Sequence, residues 1–273
     1  MRPFRIFVCF ATEDLRGAQD QIVADAKRLG FFDQIEVWDE QRLAAYPEYQ
    51  NLPSSLKAGR GHGFFWWKPF IIRKALEESG QGALVFYSDC GRYRGGFRLG
   101  KGSIYLIHKY AETGFAGVEV PQFGPAVRWT RAECFSAVGC EPTKEGELPQ
   151  IQATFCLWRN DLRSLKIIKE WESLCRIPNV VADPVGEENK KQPSEFVAHR
   201  HDQSVLTLLV RKYNVTYIDL SGPFSKRILP YVSRAEVVNV KMKQTEFVAR
   251  TLKVDGSLLF RLFIDYGKSK LIE

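Results

Sequence analysis

The sequence lacks the signatures of several large function classes. None of its 273 residues fall in an apolar run near the ~20 a transmembrane helix needs. The start, MRPFRIFVCFATED, holds an apolar run too short for a signal-peptide core and reads as a first buried strand. Cys9, Cys90, Cys134, Cys140, Cys156 and Cys175 form no CxxC pair. Their scatter offers no zinc spacing, and free thiols in a reducing, cytoplasmic setting are expected. The Walker pattern, the GxSxG elbow and the kinase motif set are missing. No Lys/Arg run is interleaved with aromatics, so nucleic acid is not an expected partner. Repeats and low-complexity stretches are absent as well.

What is present is core material and positive charge. A hydrophobic content of 45% with 13% aromatics excludes global disorder. Lys and Arg number 39 against 32 Asp and Glu, a net charge of +7. The stretch from Phe224 to Glu273 is notably basic. Such a tail suits an anionic membrane surface or a phosphorylated substrate, or is simply a solvated face. Peripheral contact with the inner face of a membrane through this basic C-terminus is one expectation.

Apolar patterning predicts strands over Phe4–Phe10, Ile35–Trp38, Ala83–Tyr87, Phe115–Val120, Gln152–Trp158 and Val215–Leu220. Helices are predicted after Thr12 to about Leu29, over Lys68–Ser79, Ser103–Glu112, Arg131–Val138, Leu162–Cys175 and His201–Tyr213. Leu43–Ser55, broken by Pro47 and Pro53, reads as loop with a short helix. The very polar GEENKKQPSE, Gly186–Glu195, reads as a mobile surface loop able to close over a ligand. Asp255-Gly256 predicts a hairpin between Phe247–Val254 and Leu258–Ile264. The alternation implies an α/β fold, a mostly parallel sheet flanked by helices, with a β-rich C-terminal extension. Residues 1–222 would form the main domain and 223–273 the basic extension.

Four features carry candidate chemistry. Asp89 ends a buried apolar strand, where open α/β sheets place their sites; it either contacts metal or sugar or caps the turn Cys90-Gly91. Lys68 opens a helix, where the macrodipole disfavours a cation; a bound diphosphate would compensate. His199-Arg200-His201-Asp202-Gln203 is the densest polar cluster. It reads either as a capped helix with exposed histidines, or as a site with Asp202 or Gln203 beside a reacting carbon and His201 near a metal or phosphate. Trp67, with Phe64, Phe65 and Trp66, either stacks on a base or sugar or packs the core. GRGHG, Gly59–Gly63, is a weak phosphate cradle, because no strand precedes it.

The strings WWKPFIIRKALEES, ALVFYSDCG, ATFCLWRND and HRHDQSVLTLL, in that order, resemble bacterial and viral glycosyltransferases of the GT-A fold. The resemblance spans Phe4 to Leu220 and implies a Rossmann-like catalytic domain. It implies that Phe10, Ala11 and Thr12 line a nucleotide pocket and that Lys68 approaches the donor or its phosphates. Asp89 would stand at the metal-binding D-x-D position, and Asp202-Gln203 would be the pair brought to the sugar. One departure stands out: the D-x-D position reads Asp89-Cys90-Gly91, without the second carboxylate. Mn²⁺ or Mg²⁺ would then depend on Asp89 with help from His199, His201 or Asp202. Without metal, Lys68, Arg92 or Lys226-Arg227 would neutralise the leaving diphosphate. The implied reaction moves a sugar from a nucleotide-diphosphate donor to a hydroxyl of a surface polysaccharide or lipid-linked glycan. Two other readings fit the same residues: a sugar nucleotidyltransferase, and a glycan- or partner-binding domain of the same fold without activity.

Overall fold

A computed structural model describes residues 2–91, 99 and 114–215. The expected helix at 103–112, Arg92, the strand at 215–220 beyond its first residue, the Lys226-Arg227 pair, the hairpin and the whole 223–273 extension lie outside the described residues.

Five strands form one sheet: β1 (Arg5–Phe10), β2 (Gln34–Trp38), β3 (Leu84–Ser88), β4 (Phe115–Glu119) and β5 (Ile151–Arg159), in the order β2-β1-β3-β5-β4. β1 pairs in parallel with β2 and β3, while β5 runs antiparallel to both β3 and β4. Four of the five strands therefore share one direction and only β5 is reversed. This is the mixed α/β architecture, mostly parallel and helix-flanked, that the patterning predicts.

Period-2 alternation explains why the inner strands are apolar throughout. Ile6, Val8 and Phe10 of β1 face one core; Phe7 and Cys9 face the other. In β3 the same division places Val85 and Tyr87 against Leu84 and Phe86. The larger core lies under α2 (Trp67–Glu77), α4 (Leu162–Cys175) and α5 (Asp202–Lys212), with α3 (Ala132–Val138) beside them. The smaller core lies under α1 (Arg16–Leu29). Arg73 joins α2 to α4 through a 2.6 Å contact with Glu172.

Chain order makes β1 the pivot. The chain leaves β1 through α1 to reach β2 on one side, then returns through α2 on the opposite face to reach β3 on the other side. The connections out of β1 and into β3 thus lie on opposite faces, and the carboxyl ends of β1 and β3 flank a crevice.

Several local predictions differ from what forms. Thr12 precedes a 3₁₀ turn, Glu13–Leu15, and its hydroxyl bonds Asp14 instead of capping a backbone N–H. The 43–55 stretch carries three short helices, Glu40–Ala44, Pro47–Gln50 and Ser54–Lys57, since Pro47 sits at a first helical position where it is tolerated. Gly186–Glu195 is not a free loop. Its first part is a 3₁₀ turn, Gly186–Lys191, anchored by Arg131 to Glu188 at 3.1 Å, and Gln192 accepts from the Ala132 N–H at 2.8 Å. Buried Arg131 makes that anchor, so the stretch is not free to act as the lid expected of it. All six cysteines are buried and unpaired.

Candidate active site

The crevice at the ends of β1 and β3 is a cleft of about 530 Å³. Of the expected ligand-binding residues, Phe10, Ala11, Thr12, Trp67 and Asp89 line it. Lys68, His201, Asp202 and Gln203 do not. The ring of Trp67 stacks on Phe10 at 4.0 Å, and its Nε1 donates to the Gly61 carbonyl at 2.9 Å. Cys90 ties the two strand ends together through its thiol and the Phe10 carbonyl, 3.3 Å away.

Three residues far apart in sequence meet behind the cleft wall. Nζ of Lys68 lies 3.2 Å from Asp89 Oδ1, 3.2 Å from Asp202 Oδ2 and 3.0 Å from the Ala153 carbonyl. β3 delivers Asp89, the first turn of α5 delivers Asp202, and α2 delivers Lys68. The ammonium is buried among Phe65, Trp67 and Tyr87, whose ring centroids are 5.5, 5.9 and 5.3 Å away. Asp89 Oδ1 also accepts from the Tyr87 hydroxyl.

The two acids differ in access. The side chain of Asp89 is 29% exposed and opens on the cleft, whereas that of Asp202 is 5% exposed. The contact of Asp202 Oδ2 with the ammonium is charge to charge, since no donor is aligned on that oxygen. Burial pushes the Asp202 carboxyl up to about 6, opposed by Lys68 and assisted by the like charge of Asp89. Burial disfavours the Lys68 ammonium, but the two carboxylates outweigh it and hold its affinity for the proton above the ordinary lysine value.

This geometry corrects the role expected of Lys68. One positive charge is shared by two carboxylates, so no surplus remains for a diphosphate. The expected assistance of histidine to a metal also fails. His199 Nδ1 accepts from the Arg131 N–H at 3.2 Å, so Nε2 carries the proton it gives to the Val180 carbonyl at 2.9 Å. Burial pushes His199 down to about 3, and it stays neutral. His201 gives its Nδ1 proton to the Val181 carbonyl at 2.9 Å, and burial lowers its proton affinity too. Gln203 bonds the Ala153 N–H at 3.3 Å and Gln150 at 2.6 Å, fastening α5 to β5. These side chains hold α5 in register.

The metal implied for Asp89 does not suit this donor set. Divalent Mn or Mg takes hard oxygen ligands and repels cations. Here Asp89 has one oxygen engaged by Tyr87 and Lys68, with an ammonium 3.2 Å away; of the other acids lining the cleft, Asp14 accepts from the Thr12 hydroxyl and Glu40 faces His62 at 3.4 Å. Among the described residues, no three His, Cys, Asp or Glu side chains gather as a metal cluster.

The segment that sequence reading undervalued is GRGHG. Gly61, His62, Gly63, Phe64 and Phe65 all hold positive φ, at 63, 57, 95, 53 and 64°. A left-handed run with three non-glycine residues costs about 1–2 kcal/mol per residue, and such strain gathers at functional positions. It turns Arg60, His62 and Phe65 onto the cleft. The alternation Gly59, Gly61, Gly63 was the available signal: a Cβ on Gly61 would lie 2.3 Å from the Phe65 ring. Gly61→Ala is therefore expected to lower the melting temperature by several degrees and displace Phe65 from the cleft wall. Gly17→Ala, on α1 with open space around it, should hold or raise it. Thermal denaturation of the two variants checks this.

The Asp202 carboxyl holds its proton more tightly folded than its ordinary value of 3.8 allows. Its contribution to stability is thus largest below pH 4 and is lost as pH rises through about 6, by at most about 3 kcal/mol. Urea denaturation from pH 4.5 to 7.5 should show wild type losing stability relative to Asp202→Asn over that window. Parallel curves for the two proteins would remove the buried ionisation.

No family model matches the sequence, and no curated protein matches it. Similar solved structures include a glycosyltransferase involved in the glycosylation of the major capsid of PBCV-1, with 13% identity and a TM-score of 0.37 over 71% of this chain and 81% of that one. Another is mouse xyloside xylosyltransferase 1, apo form, with 11% identity and a TM-score of 0.39 over 80% of this chain and 85% of that one. At these values neither likeness bears on the chemistry of this chain, which rests on its own side chains. Among the described residues, no helix is long and apolar enough to cross a membrane.

Proposed function

We propose that the chain is a glycosyltransferase that moves a sugar from a nucleotide-diphosphate donor to a hydroxyl acceptor on a glycan or lipid-linked glycan. One observation carries this reading: Asp89, which lines the switch-point cleft with Asp14 and Glu40, shares a buried ammonium with the acid of α5, Asp202. The cleft volume lies within the ~300–1,000 Å³ of small-molecule sites. Its Phe10–Trp67 stack offers a flat apolar wall for a base or ribose.

Glycosyl transfer builds positive charge on the anomeric carbon and negative charge on the departing diphosphate. A carboxylate fixed at the cleft edge stabilises the first. Asp89 fills that role because Lys68 and the Tyr87 hydroxyl fix its place. Asp202, expected from its motif to lie nearest the anomeric carbon, is assigned a positioning role instead. It lies behind the cleft wall, and it sets the place of Lys68 and through Lys68 the place of Asp89. Gln203 and His201 support α5 in the same way.

The test is turnover. Purified protein incubated with a panel of nucleotide sugars, with and without a hydroxyl acceptor, should release nucleoside diphosphate from at least one donor. A flat response to every donor, with nucleotide or glycan binding retained, assigns the chain to the binding-module class instead.

A further inference from the structure

We infer that the donor diphosphate is neutralised by the Arg60 guanidinium instead of a divalent metal. This rests on the donor assignment above and adds how its charge is met.

Two observations carry it. First, the place where a metal would sit beside Asp89 is taken by a cation of the protein itself: Lys68 Nζ stands 3.2 Å from each carboxylate and 3.0 Å from the Ala153 carbonyl, walled by three aromatic rings. A divalent ion there would need to displace the ammonium from the buried acid, leaving a cation in an apolar cage. Second, the cleft keeps a cation with no acid committed to it. Arg60 lines the cleft, is exposed, and makes no ion pair with a carboxylate among the described residues. It projects from the strained left-handed turn that also places Phe65 and His62. The other cleft cation, Lys57, already donates to the Gln50 carbonyl at 2.8 Å. Arg200, another exposed guanidinium, does not line the cleft; it lies over the Trp129 ring at 4.6 Å. A planar guanidinium fork matches phosphate oxygens two at a time.

The experiment measures binding of UDP, GDP and inorganic pyrophosphate to the full chain by calorimetry and by quenching of Trp67. It is run in EDTA and in Mn²⁺ or Mg²⁺, for wild type, Arg60→Ala and Arg60→Lys. The expected result is a nucleotide affinity in EDTA within about twofold of that in metal, a loss of about tenfold or more in Arg60→Ala, and partial recovery in Arg60→Lys. Binding that appears only with metal and is unchanged in Arg60→Ala overturns the inference and leaves the donor assignment standing. No binding of any probe under any condition overturns both.

Discussion

Asp89→Asn is expected to lose roughly 10²–10³-fold in kcat with little change in donor binding or melting temperature, the scale of removing one preorganised electrostatic contact to a transition state. The amide keeps an acceptor for the Tyr87 hydroxyl, so the loop should hold its shape. Lys68 keeps one carboxylate, that of Asp202. The like charge that raises the Asp202 carboxyl is removed, so its proton should come off at lower pH than in wild type. A loss of activity with an intact melting curve separates the charge of Asp89 from its place in the fold. Steady-state kinetics beside thermal denaturation make the measurement, and an unchanged kcat would take Asp89 out of the reaction.

Lys68→Met is expected to produce the largest loss of stability. It strands a carboxylate inside the protein, where Asp202 is 3% exposed, and it leaves Asp89 unbalanced at the rim. Breaking a buried ion pair from one side costs about 3–5 kcal/mol, which for a chain of this size lowers the melting temperature by roughly 10 °C. Adding Asp202→Asn to Lys68→Met should restore part of that loss, because the stranded charge is gone. The double variant should remain inactive, since Asp89 would no longer be positioned. Additive destabilisation in the pair would mean that Lys68 and Asp202 act independently, against the geometry.

The fold was largely readable because its signal is local. Continuous apolar runs bounded by turn residues located β1, β3 and β5, and 3.6-residue periodicity located α4 from Leu162 to Cys175 without error. The reversed direction of β5 was not readable, since residues 151–159 carry the same apolar pattern whichever way they pair. The resemblance implies roles for Lys68, Asp89 and Asp202 around one donor, but not the character of their meeting. Sequence shows three charged residues at element ends; only the packing shows that one ammonium lies between both acids and that Asp202 is closed off from the cleft. Burial is set by α4 and α5 packing over β5, contacts between segments distant in sequence. His199 and His201 were misread for the same reason, as their partners are carbonyls at 180 and 181. The left-handed turn before α2 lay open in its glycine alternation, yet no strand precedes it, so the usual phosphate-loop pattern gave no cue.

The most direct measurement is a crystal structure of the chain soaked with UDP or GDP. Nucleotide is expected in the cleft between the ends of β1 and β3, its base or ribose against Phe10 and Trp67 and its diphosphate directed to Arg60, with Asp89 beside the terminal phosphate. Nucleotide bound on another face, or a cleft that stays closed to both ligands at saturating concentration, would contradict it.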